Sequence, residues 1–91
     1  MRQCLTAFFS GRVQGVGFRY IVKSLARGFE VTGAVENLGD GRVRLEAEGE
    51  SDELSAFLQT IRESEVRLFI KQVDESRAEP TGKFRGFEIV R

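Results

Sequence analysis

The chain has 91 residues, 41% of them hydrophobic and 31% charged, with 14 Lys/Arg balanced by 14 Asp/Glu. That composition suits one globular domain spanning 1–91, with a single core. No histidine is present and cysteine occurs once, which excludes histidine acid–base catalysis, the usual metal sites and an internal disulfide.

Several further expectations follow. No apolar run is long enough to span a bilayer and the N-terminus lacks a signal-peptide core, so a mature cytoplasmic protein with no membrane association is expected. The single Cys4 agrees with a reducing compartment. Residues 1–45 hold seven Lys/Arg against three Asp/Glu, and residues 46–91 hold seven against eleven. The basic half suits a small anion, but it contains no clustered stripe of the kind a nucleic-acid groove needs.

From Gln3 to Ser10 the chain is rich in strand formers, with Leu5, Ala7 and Phe9 on one face and Cys4, Thr6 and Phe8 on the other. Two apolar faces imply a central strand. Gly11 to Arg19, G-R-V-Q-G-V-G-F-R, is a glycine-studded loop that runs into a helix pattern, Phe18, Ile21, Val22, Leu25 and Ala26. The end of that helix is open to two readings, a cap at Gly28 or a stop near Glu30. Thr32 to Leu38 and Arg42 to Glu48 read as strands joined by a hairpin at Asp40-Gly41. In the second of these, Val43, Leu45 and Ala47 alternate with charged residues through Glu48, which implies one wet face.

Ser51 before Asp52 and Glu53 reads as the N-cap of a second helix, whose face is Leu54, Phe57, Leu58 and Ile61. Val66 to about Arg77 reads as a strand, Ala78 to Lys83 as a loop and Gly86 to Arg91 as a short terminal strand. The order is βαββαβ with one strand added. The expected fold is α+β, a two-layer sandwich with two helices on one face of an antiparallel sheet. That architecture serves many functions, so function rests on the site.

The loop has the features of an anion site. Glycines let several backbone N–H groups approach one ligand, the helix start adds unpaired N–H groups and a positive dipole end, and Arg19 adds a fork of donors. The spacing fits neither a nucleotide P-loop nor a dinucleotide fingerprint, because the third glycine of the latter would fall on Tyr20. Cys4 reads as a small buried hydrophobe. Asn37, just before the hairpin, is a nearby neutral amide. Taken singly, the loop also suits a connecting turn, Arg19 a solvated helix residue and Asn37 ordinary turn chemistry.

Together these segments resemble the acylphosphatase family. G-R-V-Q-G-V-G-F-R is similar to that family's first signature, Gly33 to Val43 (G-A-V-E-N-L-G-D-G-R-V) to its second, and the closing F-E-I-V-R to its last strand. The resemblance implies a ferredoxin-like fold and hydrolysis of a small acyl phosphate to a carboxylate and inorganic phosphate, without metal or cofactor. It implies phosphate binding by the amides of Gln14, Gly15, Val16, Gly17 and Phe18 together with Arg19. Asn37 would position the attacking water, so Arg19 and Asn37 are the expected catalytic residues.

Three positions depart from the family pattern. Ala34 stands where a large aromatic is frequent, Gly39 where proline is common, and Glu30 where a helix-ending glycine is usual. A left-handed Glu30 would cost about 1 kcal/mol. Two other readings remain: a non-catalytic ferredoxin-like module that binds a phosphorylated or carbamoylated ligand, and nucleic-acid binding on the open sheet face. Glu46 and Glu48 oppose the second. Such domains also occur inside larger carbamoyl-transfer proteins, whereas this chain reads as complete, and a monomer is expected at this size.

Overall fold

Strand β1 (Arg2–Gly11) has apolar residues on both faces, and the chain covers both. In the computed structural model, which describes residues 1–91, β1 pairs antiparallel with β3 (Val43–Glu50) on one side and β4 (Ile70–Ala78) on the other. Strand β2 (Thr32–Asn37) pairs antiparallel with β3, and the short β5 (Phe87–Val90) pairs parallel with β2. The sheet order is β4-β1-β3-β2-β5. Its first four strands are the antiparallel core of the expected βαββαβ order, and the added strand makes the sheet mixed.

Helix α1 (Phe18–Ala26) and helix α2 (Ser51–Glu63) supply one layer. Phe18, Val22 and Ala26 from α1, and Leu54, Phe57, Leu58 and Ile61 from α2, are buried in one cluster. The same cluster takes in Leu5, Ala7, Phe9, Val35, Val43, Leu45 and Ala47 from the facing side of the sheet. Each large side chain removed from water contributes about 1.5–3 kcal/mol. Phe57 ties three segments together, with ring centroids 5.5 Å from Phe29 and 5.8 Å from Phe87.

Several local expectations need correction. α1 stops at Ala26, and Gly28 and Phe29 donate back to Leu25 and Ala26. No non-glycine residue has positive φ, so Glu30 is not left-handed, and its N–H is held by Glu53 Oε1 at 2.8 Å. Likewise only Gly41 (φ 95°) of the Asp40-Gly41 pair takes positive φ. The hairpin is a three-residue loop closed by Gly41 N to Leu38 O and Leu38 N to Arg42 O. Ser51 is already helical and Glu50 is the N-cap, because the Ser51 N–H is taken by Met1 O. Glu65–Leu68 is a 3-10 turn capped by Ser64 Oγ rather than strand, since Val66 must turn inward to be buried.

The largest correction concerns Glu48. It alternates onto the sheet face away from the helices, as expected, yet it is only 1% exposed. β4 and β5 lie at opposite edges, so residues 79–86 must cross that face to connect them. Glu48 Oε2 accepts from Thr81 N–H at 2.8 Å and Thr81 Oγ1 at 2.6 Å, and Oε1 from Gly82 N–H at 2.9 Å. Burial alone would raise its pKa. These hydrogen bonds outweigh that and hold it at about 2.

Candidate active site

The start of α1 has no internal means of satisfying its N–H groups. Gly17 is the N-cap residue in the left-handed region (φ 79°), without a capping side chain, and the first turn has no acid. In α2, by contrast, Asp52 and Glu53 occupy the first turn. No N–H from Val13 to Tyr20 donates to a backbone carbonyl or side chain, and the first helical bond is Ile21 N to Gly17 O at 3.1 Å. Gly15 shares the positive φ of Gly17, a backbone path that a side chain would strain. The result is a run of unpaired donors at the positive end of a helix dipole.

The loop is anchored from below and from both sides. Val13 (1% exposed) and Phe18 (2% exposed) reach into the core, and the Phe18 ring lies 5.0 Å from that of Phe9. At the β1 end, the chain passes so close to the segment after α2 that a Cβ on Gly11 would lie 2.3 Å from Phe69 O. Arg12 N also donates to Phe69 O at 2.9 Å. On the hairpin side, Gln14 Nε2 donates to Leu38 O at 2.8 Å and to Arg42 O at 3.0 Å. On the other side, Arg19 Nη1 donates to Val90 O at 3.2 Å.

These two side-chain bonds bracket Asn37. Gln14 reaches the residue after it, and Val90 pairs in the sheet with Glu36, the residue before it. Asn37 shares the helix-side face of β2 with the buried Val35. Its Oδ1 is buried with no hydrogen-bond partner, the one side-chain atom of the chain in that state. An uncompensated buried carbonyl costs about 1–3 kcal/mol, a feature expected where it waits for a ligand or water.

The expected site residues therefore converge. Gln14, Gly15, Val16, Gly17 and Phe18 form the amide run, Arg19 stands half-buried in the first turn, and Asn37 lies between the two anchors. Only one of the guanidinium's five N–H groups is occupied by the chain, which leaves the fork available to an anion. Two roles escaped the sequence reading. Gln14 acts through its side chain as well as its amide, and Val13 is the loop's core anchor. For Val13 the signal was an apolar residue amid glycines and polar residues; for Gln14 there was none. No three His, Cys, Asp or Glu side chains group so as to hold a metal ion.

The family model described as acylphosphatase matches residues 5–89. The chain is 40% identical over 87 residues to an acylphosphatase of Salinibacter ruber, covering 96% of this chain and 92% of that protein. In structure it is similar to the acylphosphatase of Bacillus subtilis, with a TM-score of 0.89, 32% identity and full coverage of both chains. It is also similar to a segment of full-length HypF, solved in a phosphate- and nucleotide-bound form, with TM-score 0.89 and 32% identity over 12% of that chain. The chain belongs to the acylphosphatase family.

Proposed function

We propose that this chain hydrolyses acyl phosphates, with the phosphoryl group held by the amides from Gln14 to Phe18 and by Arg19, and the water held by Asn37. The observation that carries this is the clamped loop of unpaired N–H groups beside the unpartnered Asn37 Oδ1. Water oxygen attacks phosphorus, the P–O bond to the acyl group breaks, and the electron pair leaves with the carboxylate. A carboxylate leaving group needs no protein acid. The water's proton passes to a phosphoryl oxygen, since an amide is no base at ordinary pH and Asn37 serves only to orient. The protein's work is positioning and charge stabilisation, which phosphoryl transfer chiefly requires.

The products are a carboxylate and inorganic phosphate. We propose in addition that the chain is a monomer of the cytoplasm that does not bind nucleic acid. No helix is long and apolar enough to cross a membrane. Arg42 and Arg44 beside the outer sheet face are paired with Asp40 and Glu36, and Lys83 with Glu46.

Hydrolysis of benzoyl phosphate above its spontaneous rate tests the reaction. Arg19→Gln is expected to abolish both turnover and phosphate binding, since each charge-assisted hydrogen bond contributes about 1.5–3 kcal/mol. Asn37→Ala should retain phosphate binding while lowering turnover by roughly 10²–10³. Wild-type turnover in Asn37→Ala would remove the water-positioning role. Phosphate binding without any acceleration would make the chain a binding module.

A further inference from the structure

Arg19 and Lys23 of helix α1 and Arg27, its C-cap residue, stand at intervals of four, so the three cations form one row along the helix axis. Beyond Arg19 this row is one wall of a groove of about 490 Å³ between α1 and β5. Lys23 and Arg27 face Glu88 and Ile89 across it, with Tyr20 and Arg91 also lining it. Tyr20 adjoins Arg19, and Arg91 follows Val90, whose carbonyl holds the Arg19 guanidinium. The groove therefore opens beside the phosphate loop. A second cleft that shares Lys23 and Arg27 lies over Phe29, Val31 and Phe87.

The lining side chains carry three cations against one carboxylate, and none of the four takes part in an ion pair of the chain. Arg91 is held by a hydrogen bond of 2.9 Å to Tyr20 Oη, which lowers the pKa of that phenol. Lys23 and Arg27 have no such internal partner. A cleft bearing excess, unpaired positive charge focuses an anion.

We propose that this groove receives the acyl part of the substrate and selects acyl phosphates whose acyl chain ends in a second anionic group. The proposal rests on the acylphosphatase reading above and adds the substrate class. With the phosphoryl group at Arg19, a rise of ~1.5 Å per residue places Lys23 about 6 Å and Arg27 about 12 Å further along the helix axis. An acyl chain of about six carbons carries its terminal carboxylate into that interval, with its methylenes against Ile89.

Adipoyl monophosphate and hexanoyl phosphate have the same carbon count and differ in the terminal carboxylate. Wild-type kcat/KM should favour adipoyl monophosphate about tenfold, equivalent to about 1.4 kcal/mol, and the difference should lie in KM. In the Lys23→Gln, Arg27→Gln double variant the preference should vanish while both constants for hexanoyl phosphate stay at wild-type values. Glu88→Gln should enlarge the preference, and salt should erode it in the wild type. Equal wild-type values for the two substrates, or a preference that survives the double variant, overturns the proposal. Benzoyl phosphate separates the two levels. If it is hydrolysed without discrimination between the probes, the groove assignment alone falls; if it is not hydrolysed, the enzymatic reading falls and takes the groove assignment with it.

Discussion

Protonating or replacing Glu48 should loosen the crossing segment that covers the outer sheet face. Its folded pKa of about 2 stands against an ordinary 4.5, a gap of about 2.5 units or roughly 3 kcal/mol by linkage. Because the folded value is depressed, the stabilisation is complete above pH 4.5 and is lost as pH falls toward 2. The three hydrogen bonds give an independent check: Glu48→Gln keeps one acceptor and turns an amide N–H₂ toward groups that include two backbone N–H donors. A cost of about 2–4 kcal/mol at neutral pH is expected from leaving such donors unpaired.

The assay is urea unfolding at pH 7, 4.5, 3 and 2, followed by far-UV circular dichroism because the chain has no tryptophan. The informative quantity is the wild-type stability minus that of Glu48→Gln at each pH. That difference should shrink steadily below pH 4.5 and approach zero near pH 2, while contributions from other carboxylates cancel. A constant difference across the series would refute the role assigned to the ionised carboxylate. A negligible difference at pH 7 would refute the latch altogether.

The loop offers two further perturbations. Gly11→Ala places a Cβ against Phe69 O at 2.3 Å and Lys71 N at 2.8 Å, at a φ of 125°; it should destabilise by at least about 2 kcal/mol, measured by urea unfolding. A loss below about 0.5 kcal/mol would mean the loop entrance yields more easily than its contacts imply. Gln14→Ala removes the bonds to Leu38 O and Arg42 O, so phosphate affinity by calorimetry should fall several-fold as ordering the loop becomes part of binding. Gln14→Glu should be worse, because a carboxylate has nothing to donate to two carbonyls. Unchanged affinity in both would show that the loop holds its shape without the clamp.

Local chemistry along the chain was enough to locate the glycine loop, the apolar faces of both helices and the Asp40-Gly41 hairpin. Periodicity is a short-range property, and Phe18, Val22, Leu54 and Phe57 are buried where it places them. The glycine loop and Asn37 were legible as candidate site residues through their resemblance to two family signatures, since taken singly each also suits an ordinary turn. Element ends were less legible. Ser51 has the chemistry of a cap, but a partner 50 residues away, Met1 O, claims its N–H and shifts the helix start by one position.

What only the tertiary structure decided are the contacts made across the sheet. Gln14 could reach Leu38 and Arg42 only once β2 and the loop stood at the same end of the fold, and Arg19 met Val90 only once β5 lay parallel beside β2. The alternation that marks Glu48 as outward facing is correct, yet no pattern within its own strand reveals that residues 79–86 will cross above it. That crossing follows from the strand order, which puts β4 and β5 at opposite edges. The sequence by itself thus marked which groups are expected to bind an anion. The fold determined how firmly they are held and which carboxylate is withdrawn from water, because both depend on segments that are distant along the chain and adjacent in space.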